Sequence, residues 1–154
     1  MTDNLQYNIQ GWGTVSQTMK GSETLYSQRL SYYDAEKGSG LYNGNISEWR
    51  MQQGTNTTST YRYGYDGLGR LTTSSRYAGS GTSATNSWCE RGIDYDLNGN
   101  IVTLQRFGSS ASTAEDNLFY DYSGNRLTTL TGSSRGAELN ASYSYDAGGN
   151  MLYD

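Results

Sequence analysis

The chain has 154 residues, a formal charge of −4, no proline and no histidine. An acidic balance without clustered Lys and Arg argues against nucleic acid, whose phosphates need such clusters, and the lack of histidine excludes Ser-His and Cys-His nucleophilic pairs. Leu, Ile, Val and Phe number only 21 while Tyr alone numbers fifteen, so the apolar area lies in side chains that keep a polar handle, which suits half-wet sheet faces better than a thick dry core.

Asn8 to Gly11 has the spacing of a hairpin turn: the Asx side chain accepts a backbone N–H two residues on, and Gly takes the left-handed conformation that follows a type I turn. Ala35 to Lys37 is the best helix candidate and is too short to matter. Leu41-Tyr42-Asn43-Gly44-Asn45-Ile46 is a degenerate turn copy, because the residue three before Gly44 is not Asx. Residues 53 to 59 read as a loop. Tyr61, Tyr63 and Tyr65 share parity and predict one face of a strand, closed by the turn Asp66 to Gly69 and followed by the strand formers Leu71-Thr72-Thr73.

The pattern then recurs. A loop at 79 to 87 precedes Ile93 and Tyr95, the turn Asp96 to Gly99, and Ile101-Val102-Thr103-Leu104. A loop at 108 to 113 precedes the turn Asp121 to Gly124 and Leu127-Thr128-Thr129-Leu130. A loop at 132 to 136 precedes Tyr143, Tyr145 and the turn Asp146 to Gly149. The marker glycines Gly44, Gly69, Gly99, Gly124 and Gly149 are separated by 25, 30, 25 and 25 residues, the signature of a repeat architecture. With Gly11 there are six copies, which predict a single all-β domain over 1–154 of about ten to twelve antiparallel strands.

Sharper chemistry competes with this reading at few places. Asp94-Tyr95-Asp96-Leu97-Asn98-Gly99-Asn100-Ile101 matches the start of an EF-hand loop, with Asp94, Asp96 and Asn98 as candidate calcium ligands. Position 12 is Gln105 where the bidentate Glu belongs, so one more hairpin turn is the favoured reading. Cys89 cannot form an intramolecular disulfide and reads as a bystander thiol. Paired carboxylates suffice for glycoside hydrolysis, yet Asp66, Asp96, Asp121 and Asp146 are already accounted for as turn caps; the chain is read as non-catalytic and without cofactor. The aromatic row Tyr61, Tyr63 and Tyr65, with Trp49 or Trp88, either pairs across strands or stacks on glycans or a partner surface. No apolar run is long enough to span a bilayer and no charged-then-apolar leader opens the chain; Met1 is read as the start of a piece excised from a longer protein.

The phrases YGYDGLGRLT, IDYDLNGNI, YDYSGNRLT and YSYDAGGNM resemble the YD repeat of the RHS family, which includes bacterial polymorphic toxins, Tc-toxin cocoon components and the animal teneurins. YNIQGW and LYNGNISEW are similar to degenerate RHS repeats of large surface or secreted proteins of Bacteroidetes. The resemblance covers about Tyr7 to Asp154. It implies a twisted antiparallel sheet winding into a hollow shell around a C-terminal effector, an extracellular or cell-surface setting, and the remaining repeats and the effector as partners. The family's self-cleavage aspartates have no counterpart here, so no autoproteolytic residue is carried over. An alternative role is a surface module that recognises carbohydrate or protein through Tyr and Trp. Because a sheet cut from a longer wall has open edges, the isolated chain is expected to self-associate.

Overall fold

A computed structural model describes residues 1–153, the last by its backbone alone. All regular structure among the described residues is β, with no helix. The chain divides into two compact units, Met1–Thr85 and Asn86–Asp154, taken here in turn.

The first unit is a six-stranded antiparallel meander: β1 (Thr2–Tyr7), β2 (Gly13–Lys20), β3 (Glu23–Ser31), β4 (Glu48–Gln53), β5 (Ser59–Tyr65) and β6 (Leu71–Ala78), each paired with the next. The second unit holds a five-stranded antiparallel sheet of β7 (Cys89–Tyr95), β8 (Ile101–Phe107), β9 (Asp116–Ser123), β10 (Arg126–Ser134) and β11 (Ala137–Ser142), also in chain order. A last hairpin joins β12 (Ser144–Tyr145) to β13 (Met151–Tyr153). Only Tyr143 separates β11 from β12, and its N–H donates to the Thr128 carbonyl at 2.9 Å, so this strand keeps following β10.

Four turns are built alike. Asp66 Oδ1 accepts the N–H groups of Leu68 and Arg70, both at 2.9 Å, while Gly69 N–H donates to the Asp66 carbonyl at 3.0 Å. Asp96 Oδ1 does the same for Asn98 and Asn100, and Asn8 Oδ1 for Gln10 and Trp12. Asp146 Oδ1 caps Asn150 N–H at 2.9 Å. All six marker glycines have positive φ, from 63° at Gly124 to 90° at Gly44, the region that L-residues avoid and glycine enters freely.

Asp121 corrects the expectation for the fifth turn. Tyr122 and Ser123 remain in β9, so Gly124 and Asn125 alone form the loop between Ser123 and Arg126. Gly124 at φ 63° in the first loop position is the pattern of a type II′ hairpin. Asp121 is left in mid-strand, where its carboxylate accepts from Thr129 Oγ1 at 2.8 Å. The apolar residue of this copy, Leu127, comes one residue later than in its sisters, and the tighter loop with a bulge at Thr128 absorbs the offset.

At the opposite end the loops fall at 54–58, 79–88 and 108–115, close to expectation. The segment 132–136 does not: residues 132 to 134 belong to β10, and Arg135 and Gly136, at φ 49° and 79°, form a two-residue turn alone. A further tight turn, Gly21-Ser22, joins β2 to β3. Gly44 lies inside the long β3–β4 connection and not in a hairpin of its own. That connection is tied back to its strands. Asp34 pairs with Arg29 and Glu36 with Arg50, Lys37 N–H donates to the buried Glu48 carboxylate at 2.7 Å, and Ser47 N–H and Oγ both reach the Ser31 carbonyl.

The dry core is thin. Among the described residues the buried hydrophobic side chains are Tyr32 and Tyr77 in the first unit and Cys89, Ile93 and Phe107 in the second. Amphipathic sheet faces replace a centre: on β9 Leu118, Tyr120 and Tyr122 are half-buried while Phe119, Asp121 and Ser123 are exposed. Leu139, Ala141, Tyr143 and Tyr145 alternate in the same way with Glu138, Asn140, Ser142 and Ser144.

Candidate functional site

Three of the tyrosines that precede turns share a specific task. Tyr65 OH donates to the Ile46 carbonyl at 2.7 Å, Tyr122 OH to Ile101 at 2.9 Å and Tyr145 OH to Leu127 at 2.9 Å. Each acceptor lies just beyond the preceding marker glycine, so every such bond crosses from one repeat to the one before it. Tyr32 OH reaches the Gly13 carbonyl at 3.1 Å in the same sense. Burial raises the hydroxyl pKa of both Tyr65 and Tyr122, as expected where desolvation disfavours the phenolate.

Asparagines after the marker glycines form a second stitch. Asn45 Nδ2 donates to the Gly69 carbonyl at 3.2 Å, and Asn100 Nδ2 to the Gly124 carbonyl, also at 3.2 Å. In the last interval Arg126 stands over the Tyr145 ring at 5.8 Å, close enough for cation–π attraction. The phrase Tyr-Asx-x-x-Gly-Asn/Arg therefore encodes both a turn and its attachment to neighbouring turns.

The aromatic row on β5 opens on a concavity of about 290 Å³. Trp49, Tyr63 and Tyr65 line it with Leu30, Ile46, Leu71 and Gln28. Tyr61 stacks on Trp49 with ring centroids 5.7 Å apart, and Trp49 Nε1 donates to Gln28 Oε1 at 3.1 Å. Among the described residues its lining is aromatic and aliphatic side chains and one amide, that of Gln28. Trp88 belongs to the second unit, in the β6–β7 connection, half exposed, with its N–H donating to the Gly108 carbonyl. The sequence singled out the aromatic lining but not Gln28, Leu30, Ile46 or Leu71, which only the strand register brings alongside.

Of the candidate calcium ligands, Asp94 and Asp96 are otherwise engaged. Asp94 sits on β7 and accepts from Thr103 Oγ1 at 3.1 Å. Asp96 spends Oδ1 on two backbone N–H groups and Oδ2 on Asn100 Nδ2 at 2.8 Å. Among the described residues no three His, Cys, Asp or Glu side chains gather as a metal site. Cys89 is 3% exposed, and burial raises its thiol pKa, the opposite of what a reactive thiolate needs.

The turn carboxylates should make stability pH-dependent. Asp96 and Asp146 have lowered pKa values, first through the side-chain amides of Asn100 and Asn150, and Asp66 first through the Arg70 N–H. A folded pKa below the unfolded value of about 3.9 means that the contribution is complete above that pH and lost as pH falls through the folded values. Melting temperature should therefore drop below about pH 4. Replacing all three with Asn, the residue already serving at Asn8, should keep the caps and flatten this acid limb; an unchanged limb would show that other groups set it.

Neither a protein-family model nor a curated protein matches the chain.

Proposed function

We propose that the chain is a structural, non-catalytic wall segment of an RHS-type repeat shell, part of a large secreted or surface protein that encloses or presents an effector. The observation that carries this reading is the set of tyrosine hydroxyl bonds running from repeat to repeat, which makes the aromatic side chains part of the wall's own bonding. Remaining repeats of a longer protein and its cargo would be the partners. The tests separate wall from recognition module. Tyr65→Phe and Tyr122→Phe should each cost about 1 kcal/mol, the net worth of one hydrogen bond, measured by chemical denaturation. A glycan array should give no hits.

The runner-up, an aromatic recognition module for carbohydrate or protein, draws support from the hollow beside Trp49 and Tyr63. It would displace the wall reading if an array hit were abolished by Trp49→Ala with the melting temperature unchanged. In the wall reading the six residues of β1, all exposed, present unpaired backbone groups that invite another strand. The isolated chain should then self-associate in light scattering; strict monomer behaviour would count against an open wall.

A further inference from the structure

Two stretches of the chain are the same four residues, Asn-Gly-Asn-Ile: Asn43-Gly44-Asn45-Ile46 and Asn98-Gly99-Asn100-Ile101. Their intrinsic chemistry is matched, and their surroundings are not. In the second, Asp96 stands three residues before the glycine. Its Oδ1 takes the N–H groups of Asn98 and Asn100, and its carbonyl takes the Gly99 N–H at 3.2 Å. The Asn98 side chain makes no hydrogen bond among the described residues, so nothing folds it onto Gly99. In the first, position 41 is Leu, and no Asx is present to hold the N–H of Asn45. That N–H turns instead to Asn43 Oδ1 at 3.1 Å, which closes an Asx turn around Gly44. The Gly44 N–H has no acceptor among the described residues, and Asn43 is exposed.

We infer that Asn43 is a self-modification site, at which the chain converts its own asparagine to a cyclic imide and then to aspartate or isoaspartate, while Asn98 is protected. The Asx turn folds the Asn43 side chain back along the Gly44 peptide, with its amide oxygen held by the Asn45 N–H. That hydrogen bond polarises the amide carbon toward attack. The Gly44 nitrogen gives up its proton to solvent base and bonds to Cγ; solvent returns a proton to Nδ2, the Cγ–Nδ2 bond breaks and nitrogen leaves as ammonia. Water then opens the imide at either carbonyl, and no oxidant or reductant is needed. Gly44 imposes no side chain on the incoming ring, and its nitrogen has no hydrogen bond to break. At Asn98 the Gly99 N–H must first leave the Asp96 carbonyl. Opening toward isoaspartate puts an extra methylene in the main chain at residue 43, two residues before Asn45, the residue that ties this loop to Gly69. The product therefore loosens one inter-repeat stitch.

The test is peptide mapping by mass spectrometry of the intact folded chain held at mildly alkaline pH, scoring aspartate plus isoaspartate at both asparagines. Asn43 should convert at least about fivefold faster than Asn98, the factor that one net hydrogen bond carries. In denaturant the two rates should converge, because the three residues that follow each asparagine are the same. Asp96→Ala removes the carboxylate that holds the N–H groups of Asn98 and Asn100, which loosens the turn that keeps the Gly99 N–H on the Asp96 main-chain carbonyl, and should accelerate Asn98 while leaving Asn43 unchanged. Equal rates in the folded chain, faster conversion at Asn98, or a difference that persists undiminished in denaturant would each overturn the inference. The folded-against-denatured comparison on the unaltered chain stands even if the Asp96 variant fails to fold.

Discussion

Gly132→Ala is expected to be the most damaging single substitution in the second unit, at about 3–5 kcal/mol from backbone strain and overpacking together. Gly132 lies within β10, opposite Leu118 on one side and Leu139 on the other. Its φ of 125° is far from anything an L-residue adopts without strain. A Cβ there would stand 2.0 Å from the Asn117 carbonyl oxygen and 3.3 Å from Leu118 Cα. The obstacle is backbone of the neighbouring strand, and Asn117 is itself paired in the ladder with Ser133, so relief requires breaking register and not turning a side chain. Gly136→Ala is the control. It also has positive φ, 79°, but nothing lies within 4 Å of its Cβ position, so only the conformational cost of about 1–2 kcal/mol applies. Denaturation midpoints should separate the two variants clearly; equal losses would mean that β9 does not approach Gly132 as described.

Gly132 also shows where the sequence stops being informative. In Thr131-Gly132-Ser133-Ser134-Arg135-Gly136 the composition is that of a loop, and that is how it reads. The glycine is needed because a carbonyl 15 residues earlier passes close by, a fact with no local trace. Asp66, Asp96 and Asp146 were legible for the converse reason, since donor and acceptor lie within four residues of each other. Asp121 misleads because its phrase differs from its sisters only by one inserted residue before Leu127, and a one-residue slip changes which residues form the loop. The period exposed the tyrosine row and the six glycines. It could not expose that Tyr65 OH bonds Ile46, 19 residues away, or that Gln28 joins Trp49 across the β3–β4 pair. Such contacts depend on register and loop length, and the 16-residue connection between Ser31 and Glu48 carries no hairpin code that fixes either.

These stitches bear on how a chain with so few aliphatic residues holds one structure. A sheet ladder alone leaves successive hairpins free to shear past each other, since hydrogen bonds between strands repeat along the strand. Tyr65, Tyr122 and Tyr145 each fix one register by reaching a single carbonyl, and Asn45 and Asn100 fix the turn ends. Polar specificity here does what interlocking side chains do in a dense core.

Within a turn, the same logic separates conformation from contact. Gly99→Val should destabilise the chain by about 1–2 kcal/mol or more, while Leu97→Ala in the same turn should stay within about 0.5 kcal/mol. Gly99 sits at φ 89° with open space around its Cβ position, so a side chain there meets no neighbour, and the whole cost is that of forcing a β-branched residue into the left-handed region. Leu97, the larger and apolar residue, is fully exposed and contributes no burial to lose. An account based on hydrophobicity alone therefore ranks the two changes in the opposite order. Gly69→Val should exceed Gly99→Val, because its Cβ would also press to 3.2 Å from Asn45 Nδ2 and disturb the bond that the same amide makes to the Gly69 carbonyl. Urea midpoints of the three variants at fixed m-value would check this ranking. Equal effects at Gly99 and Leu97 would show that this glycine does not reverse the chain, and the turn code read from the repeat would fail with it.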